Sequence, residues 1–298
     1  MKTTNLIFTA VALLFFCACS NKNGKYDATG SFEATEIIVS SEATGKILQF
    51  DITEGQQLSK GQHVGIIDST QLYLQKMSLM TNMRGVRAQN PNIGAQTASI
   101  EQQIETLRSE RERTQKLIQA NAANKKQLDD INSQINVLQK QLSAQTSALQ
   151  KSSAGISAQS SALEIQVAQL EDRLEKCTII SPISGTVLNK YAQQGELANI
   201  GTPLFKIADT QEMVLRAYIT NDQLARIKLN DSVTVHADAG NGEMKSYPGK
   251  IQWISDKAEF TPKTIQTKNE RENLVYALKI AVKNDGFLKI GMYGEVMF

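Results

Sequence analysis

Residues 54–61 read EGQQLSKG and residues 194–201 read QGELANIG, so one Gly-x5-Gly frame is written twice, 140 positions apart. Gly45 matches Gly185 (TGKI against SGTV), Gly55 matches Gly195 and Gly61 matches Gly201, all at that offset of 140. Ile47, Val64 and Ile67 fall on Val187, Leu204 and Ile207. With 18 glycines in 298 residues, three coincidences at one offset exceed what composition supplies. Each copy alternates short apolar runs with glycine turns, the pattern of short strands joined by turns that need φ > 0. Two unrelated hairpins of similar composition are the alternative. One small β-domain in two halves, with an insertion between them, fits all the matched positions.

The insertion reads as helix. Apolar residues recur at Leu128, Ile131, Ile135, Leu138, Leu142, Leu149, Ile156, Leu163, Val167, Leu170 and Leu174, with Ala, Ser or Gln in the gaps. That three–four alternation is a coiled-coil seam, about 70 Å long at 1.5 Å per residue. Upstream, Ile93, Ile100, Ile104, Leu107, Thr114 and Leu117 form a matching seam. The turn between the arms falls in IQANAANKKQ, where Asn124 or Asn121 can cap the second arm. Gly85 and Pro91-Asn92 predict a bend or loop near 85–94, because proline removes a helical hydrogen bond. Gln145, Ser152 or Ser153, and Ser160 stand where leucine would stabilise the seam most. So weak a seam favours a hairpin packed side by side with copies of itself.

Charge and motifs exclude several function classes. With 32 Lys+Arg against 30 Asp+Glu there is no electrostatic case for a nucleic-acid partner. His63 and His236 are far apart and read as surface residues, no CxxC or HExxH spacing is present, and no phosphate loop occurs. No catalytic residue, metal or cofactor is therefore assigned. Lys60 and Lys190 read as solvated, and neither sits at a tip joining the two halves, where a carrier protein bears its prosthetic group. Cys177 reads as a small buried residue.

The N-terminus is a processing segment. Lys2 precedes an apolar run, Leu6 to Phe16, too short to span a bilayer. The run ends FFCACSN, which resembles the lipobox of bacterial lipoproteins with Cys19 after Ala18 as the lipidated residue. Phe16 stands where Leu is usual, and a plain secretory signal is the alternative reading. A lipid would anchor the chain to a membrane surface without spanning it.

Taken together, ATGKILQFDITEGQQLSKGQHVGIID, SPISGTVLNKYAQQGELANIGTPLFKI and the closing KIGMYGEVMF resemble the HlyD-type periplasmic adaptors, or membrane-fusion proteins. AEFTPKTIQT is similar to the adaptors of ABC-type exporters of the YbhG kind. The resemblance implies an elongated, multidomain α+β chain: a split lipoyl-like β-sandwich, an inserted long antiparallel coiled-coil hairpin, and a β-barrel domain. Its divisions are a signal at 1–18, anchor and first strand at 19–36, and half-domains at 37–69 and 178–209. The hairpin takes 70–177 with its tip near 118–126, and the barrel takes 210–298. The chain leaves little for a further domain after the barrel, which favours an ABC-type inner-membrane transporter; an RND-type pump and a periplasmic coiled-coil scaffold without transport are the alternatives. The family's Arg-x3-Leu-x6-Ser tip motif, which docks to a TolC-like outer-membrane channel, falls on Arg113, Leu117 and Asn124, with Asn in place of Ser. The resemblance also implies a homo-oligomer, a hexamer in the family. It places the chain in the periplasm, held by a lipid on Cys19 at the inner membrane of a Gram-negative bacterium.

Overall fold

The computed structural model describes residues 26–240, 243–260 and 274–298. The signal segment, Cys19 and most of AEFTPKTIQT lie outside the described residues. The chain runs β1 (Ala28–Ser40), β2 (Gly45–Phe50), β3 (Gln57–Leu58) and β4 (His63–Ile67) into helices α1 (Thr70–Ala88), α2 (Ile93–Gln119) and α3 (Lys125–Glu175). It returns through β5 (Thr178–Ile180), β6 (Gly185–Lys190), β7 (Leu197–Ala198) and β8 (Pro203–Ile219). A short α4 (Asn221–Leu224) then leads to β9 (Ser232–Gly240), β10 (Glu243–Ile254), β11 (Glu259–Phe260), β12 (Leu274–Lys283) and β13 (Tyr293–Met297).

The two glycine frames form one sandwich by exchanging strands. Its first sheet is β5-β4-β2-β7, and its second is the end of β1 followed by β8-β6-β3. Each sheet thus takes a strand from either side of the insertion. The backbone bonds are reciprocal at the same offset. Gly55 N–H donates to the Val187 carbonyl and Gly195 N–H to the Ile47 carbonyl, both at 2.8 Å. Ile47 N–H donates to Glu196 at 2.8 Å, and Val187 N–H to Gln56 at 2.9 Å. Gly61 N–H reaches the Ser181 carbonyl at 2.7 Å, and Gly201 N–H the Ser41 carbonyl at 2.8 Å. Bonds inside each half shape the corners, such as Gln56 N–H to Thr53 and Glu196 N–H to Gln193, while the N–H groups of the four turn glycines find their acceptors in the other half.

Four of the six repeated glycines take left-handed backbone: φ is 84° at Gly55, 95° at Gly195, 78° at Gly61 and 88° at Gly201. The expectation of a turn fails at Gly45 and Gly185, which open strands β2 and β6. Their constraint is space. A Cβ on Gly185 would lie 2.2 Å from the Ala208 carbonyl oxygen, and one on Gly45 would lie 2.9 Å from the Ile67 side chain. Between the sheets Ile47, Phe50, Ile67, Val187, Leu204, Phe205 and Ile207 form the core, with the Phe50 and Phe205 rings 6.1 Å apart. Lys190 is not solvated as its sequence setting suggested. Its ammonium donates to the Phe50 and Ile52 carbonyls, each at 3.1 Å, and lies 5.0 Å from the Phe50 ring centre.

β1 and β8 continue out of the sandwich as a pair, from Ser40↔Pro203 to Thr29↔Tyr218, interrupted by a register shift between Glu33 and Thr35. Beyond that shift they are walls of a second module. β12, β10, β9, β13, β1 and β8 follow one another in order, and β12 pairs with β8 from Tyr276↔Ile219 to Lys283↔Glu212, closing a six-strand barrel. Closure removes free strand edges. Phe32, Met213, Leu215, Val235, Ile251, Leu278 and Ile280 fill the interior; each such side chain contributes roughly 1.5–3 kcal/mol of burial. His236 is more than a surface histidine. Its Nδ1 lies 2.9 Å from Ser246 Oγ, its ring is 5.0 Å from Tyr26, and its Nε2 is buried without a partner among the described residues. On the loop before β13, Asp285 accepts from Lys245 Nζ at 2.5 Å, from Tyr247 at 3.1 Å and from the Phe287 N–H at 3.1 Å.

Two outcomes test these contacts. Gly201→Ala should lower stability in urea by about 1 kcal/mol, the strain of a left-handed residue, and Gly185→Ala by roughly 3 kcal/mol, because the strand must move. The Lys245 ammonium, followed by the Phe287 N–H, holds the Asp285 carboxyl at about 2, below its ordinary 3.8. A folded value below the unfolded one means the contribution is complete above about pH 4 and is lost as pH falls towards 2. Carboxyl-carbon NMR should therefore show Asp285 titrating near pH 2, and Lys245→Ala should move the midpoint up towards 4.

Candidate docking site at the hairpin tip

The hairpin is rooted between two adjacent strands. α1 leaves β4 through Asp68, whose carboxylate accepts the Thr70 N–H at 3.0 Å; that bond lowers the Asp68 carboxyl from its ordinary value. α3 returns to β5 at Cys177, which is buried with its Sγ 3.3 Å from the Arg173 carbonyl. Burial pushes this thiol up, the setting of an inert packing residue. β4 and β5 are themselves paired antiparallel, and Ile67 N–H donates to the Cys177 carbonyl at 2.8 Å. Both feet of the projection are thereby tied to each other.

Along the arms the burial pattern follows a three–four seam. On α3 it runs through Leu128, Ile131, Ile135, Leu138 and Leu142, and then through Thr146, Leu149, Ser153, Ile156 and Ser160. The sequence placed Gln145 in the seam, but Gln145 is exposed and Thr146 faces inward. Two successive steps of four are a stutter, which absorbs the drift between 3.6 residues per turn and a 3.5 repeat. On α2 the seam is Ile93, Thr97, Ile100, Ile104, Leu107, Arg111, Thr114 and Ile118. Leu117 is consequently not a seam residue; Ile118 takes that place.

The turn is built by two asparagines with different tasks. Ala122 N–H donates to the Leu117 carbonyl at 2.8 Å and Asn121 N–H to Ile118 at 3.0 Å, with Asn121 left-handed at φ 56°. This is a Schellman closure, in which asparagine is tolerated at the left-handed position. Asn124 is the N-cap of α3, accepting the Lys126 N–H at 3.1 Å. Of the two candidate caps, Asn124 holds the role and Asn121 ends the preceding helix.

The structure thus gathers Arg113, Leu117 and Asn124 at one end of the hairpin. Arg113 and Leu117 lie one turn apart on one face of α2, both exposed, with 49% of Leu117 open to solvent. Sequence reading missed the charge around them. From Arg113 to Leu128 the chain carries Arg113, Lys116, Lys125 and Lys126 and no acidic residue. Lys125 and Lys126 occupy the first turn of α3, which has no acidic side chain, although a helix N-terminus favours carboxylates. A count of charges by segment would have found this. The tip therefore presents an apolar side chain in a cationic surround, with nothing for acid–base or metal chemistry. Among the described residues, no group of three or more His, Cys, Asp or Glu is placed to hold a metal ion, and no helix is long and apolar enough to cross a membrane.

Known proteins share this architecture. MacA from Actinobacillus actinomycetemcomitans aligns over 91% of this chain and 76% of its own, with a TM-score of 0.55 and 24% identity. A MacA–MexA chimera containing the Pseudomonas aeruginosa MexA α-hairpin domain aligns over 90% of this chain and 78% of its own, with a TM-score of 0.53 and 24% identity. Both are likenesses of fold. In sequence, the UPF0194 membrane protein YbhG of Salmonella paratyphi B is 35% identical over 126 residues, 42% of this chain. The matched stretch spans only 38% of that relative's length. The CzcB-like, barrel-sandwich hybrid domain matches residues 35–209. It begins where β1 passes the register shift between Glu33 and Thr35, and it takes in both half-sandwiches and the whole hairpin. On that match the chain belongs to the CzcB-like barrel-sandwich hybrid family of membrane-fusion, or periplasmic adaptor, proteins.

Proposed function

We propose that this chain links an inner-membrane transporter, of the ABC type, to a TolC-like outer-membrane channel, and that the hairpin tip is the channel-docking end. The observation that carries the reading is Leu117: it lies off the seam, half open to solvent, one turn from Arg113. An apolar side chain that is off the seam and half open to solvent leaves surface available to a partner. Lys116, Lys125 and Lys126 around it fit an acidic rim on that partner, and such a contact weakens as salt screens it. The ABC assignment rests on the similarity of AEFTPKTIQT to adaptors of that class, with an RND-type pump as the alternative. Side-by-side copies, six by family analogy, would support a seam that carries Ser153, Ser160 and Thr146 in place of leucine.

Arg113→Asp and Leu117→Asp should each lower export at least about ten-fold, equivalent to about 1.4 kcal/mol of docking. Helicity and transporter co-purification should stay at wild-type levels. Unchanged export in both variants rules out tip docking. Co-purification from solubilised membranes with an RND pump and no ABC permease would reassign the partner.

The anchor has its own test. Lipid on Cys19 would hold the barrel at the periplasmic face of the inner membrane, so Cys19→Ser should move the protein from the membrane pellet to the soluble periplasmic fraction. Retention in a salt-washed pellet, or a wild-type mass without acyl chains, excludes the lipid anchor.

A further inference from the structure

The glycines and the single proline of the hairpin cluster about one level along it. Residues 70–175 contain three glycines, Gly85, Gly94 and Gly155, and one proline, Pro91. Lys76 meets Glu171 at 2.7 Å, and Arg87 Nε meets Ser160 Oγ at 2.8 Å. In an antiparallel pair each step up α1 matches an opposite step along α3. The break between α1 and α2, residues 89–92, is therefore level with residues 155–158 of α3. A cavity of about 320 Å³ confirms the juxtaposition, lined by Arg87, Asn90, Ser153, Ile156, Ser157 and Ser160 among others.

The cause is legible at side-chain level. The seam of the first arm runs Leu72, Lys76, Leu79, Met83 and Val86, and resumes at Ile93 and Thr97. The intervening seam position in three–four spacing is residue 90, an exposed asparagine. Across from it stand Ser153 and Ser157, so packing is interrupted without loss of phase. Asn92 restarts the helix, accepting the Ala95 N–H at 3.0 Å. Gly155 sits inside the 51-residue α3, and a Cβ there would meet nothing within 4 Å, as at Gly85. No close approach requires these glycines, whose backbone freedom weakens a helix interior.

We propose that the hairpin carries a hinge at Gln89–Asn92 and Gly155, about which the tip-bearing segment tilts on the rooted segment. Hinges are a few residues that absorb backbone change between packed segments. Here the continuous seam phase lets both segments keep their own packing while the angle changes. Arg87 is the latch: it closes the last turn of α1 onto α3 through Ser160 and an ion pair with Glu164. The root stays fixed by the paired β4 and β5, so the tilt is delivered to Arg113 and Leu117. The hinge is a property of the isolated chain and holds whether or not the tip docks to a channel.

Hydrogen exchange of the full chain, read by mass spectrometry, reports local opening segment by segment. Residues 151–161 should exchange faster than 131–145 and 163–174, although they lie in mid-helix. Gly155→Ala, which favours helix, should slow 151–161 by about five-fold. Arg87→Ala should speed 84–96 and 151–161 together. Three results each overturn the hinge: 151–161 as protected as both flanks, a rate that Gly155→Ala leaves unchanged, or acceleration by Arg87→Ala confined to one arm.

Discussion

Reciprocal bonding between two turns written far apart in sequence holds the molecule together. Gly55 is completed by Val187 and Gly195 by Ile47, while Gly61 is completed by Ser181 and Gly201 by Ser41. Since the turn glycines of each half donate to carbonyls of the other, the sandwich is complete only once the whole hairpin has brought the second half back. Loop-closure entropy grows slowly with length, so a helical hairpin, which returns the chain to its start, is a low-cost insertion there. The same exchange makes the hairpin's feet neighbours in one sheet. A projection anchored in that way transmits the position of its root.

The second consequence runs in the opposite direction along the chain. β1 and β8 pair through both modules, so the barrel is joined to the sandwich by continuous strands instead of a flexible linker. The register shift near Glu33 marks the change of module. There the Asn284 amide donates to the Thr210 carbonyl at 2.8 Å and to Leu288 at 3.0 Å, tying the loop before β13 to the excursion of β8. Rotation of one module against the other would have to break a shared ladder. The rigid end of the molecule is thus the β end, and compliance is left to the helices.

Much of this was readable in the residues. The glycine frame disclosed the split domain, the apolar spacing disclosed the hairpin, and the asparagines of IQANAANKKQ disclosed the turn, with Asn124 and Asn121 both open as the cap of α3. What escaped reading depended on contacts between distant segments. Lys190 looks like any surface lysine until the fold brings the Phe50 ring and two carbonyls under it. Residues 28–33 carry no mark that they close a barrel whose other walls run from Glu212 onward. The seam slipped from Gln145 to Thr146 because helical drift accumulates over several heptads, and polar residues at both positions gave no apolar cue. At the tip, Leu117 and Ile118 are adjacent and equally apolar. Only the phase of the completed helix decides which one faces the partner arm.

The local rules of helix stability are broken mid-hairpin and at the tip, and the breaks differ in kind. Mid-hairpin, glycine, proline and serine remove packing from both arms at one level, which loosens the helices. At the tip the turn is well made, with a Schellman closure and a capped helix start. What disagrees there is the surface: a half-exposed leucine off the seam, and lysines where the helix dipole opposes them. A sequence that departs from local preference without structural gain marks function. A loosened middle changes where the tip points, and a decorated tip determines what it can meet. Only with a rigid root does the first kind of departure become useful to the second.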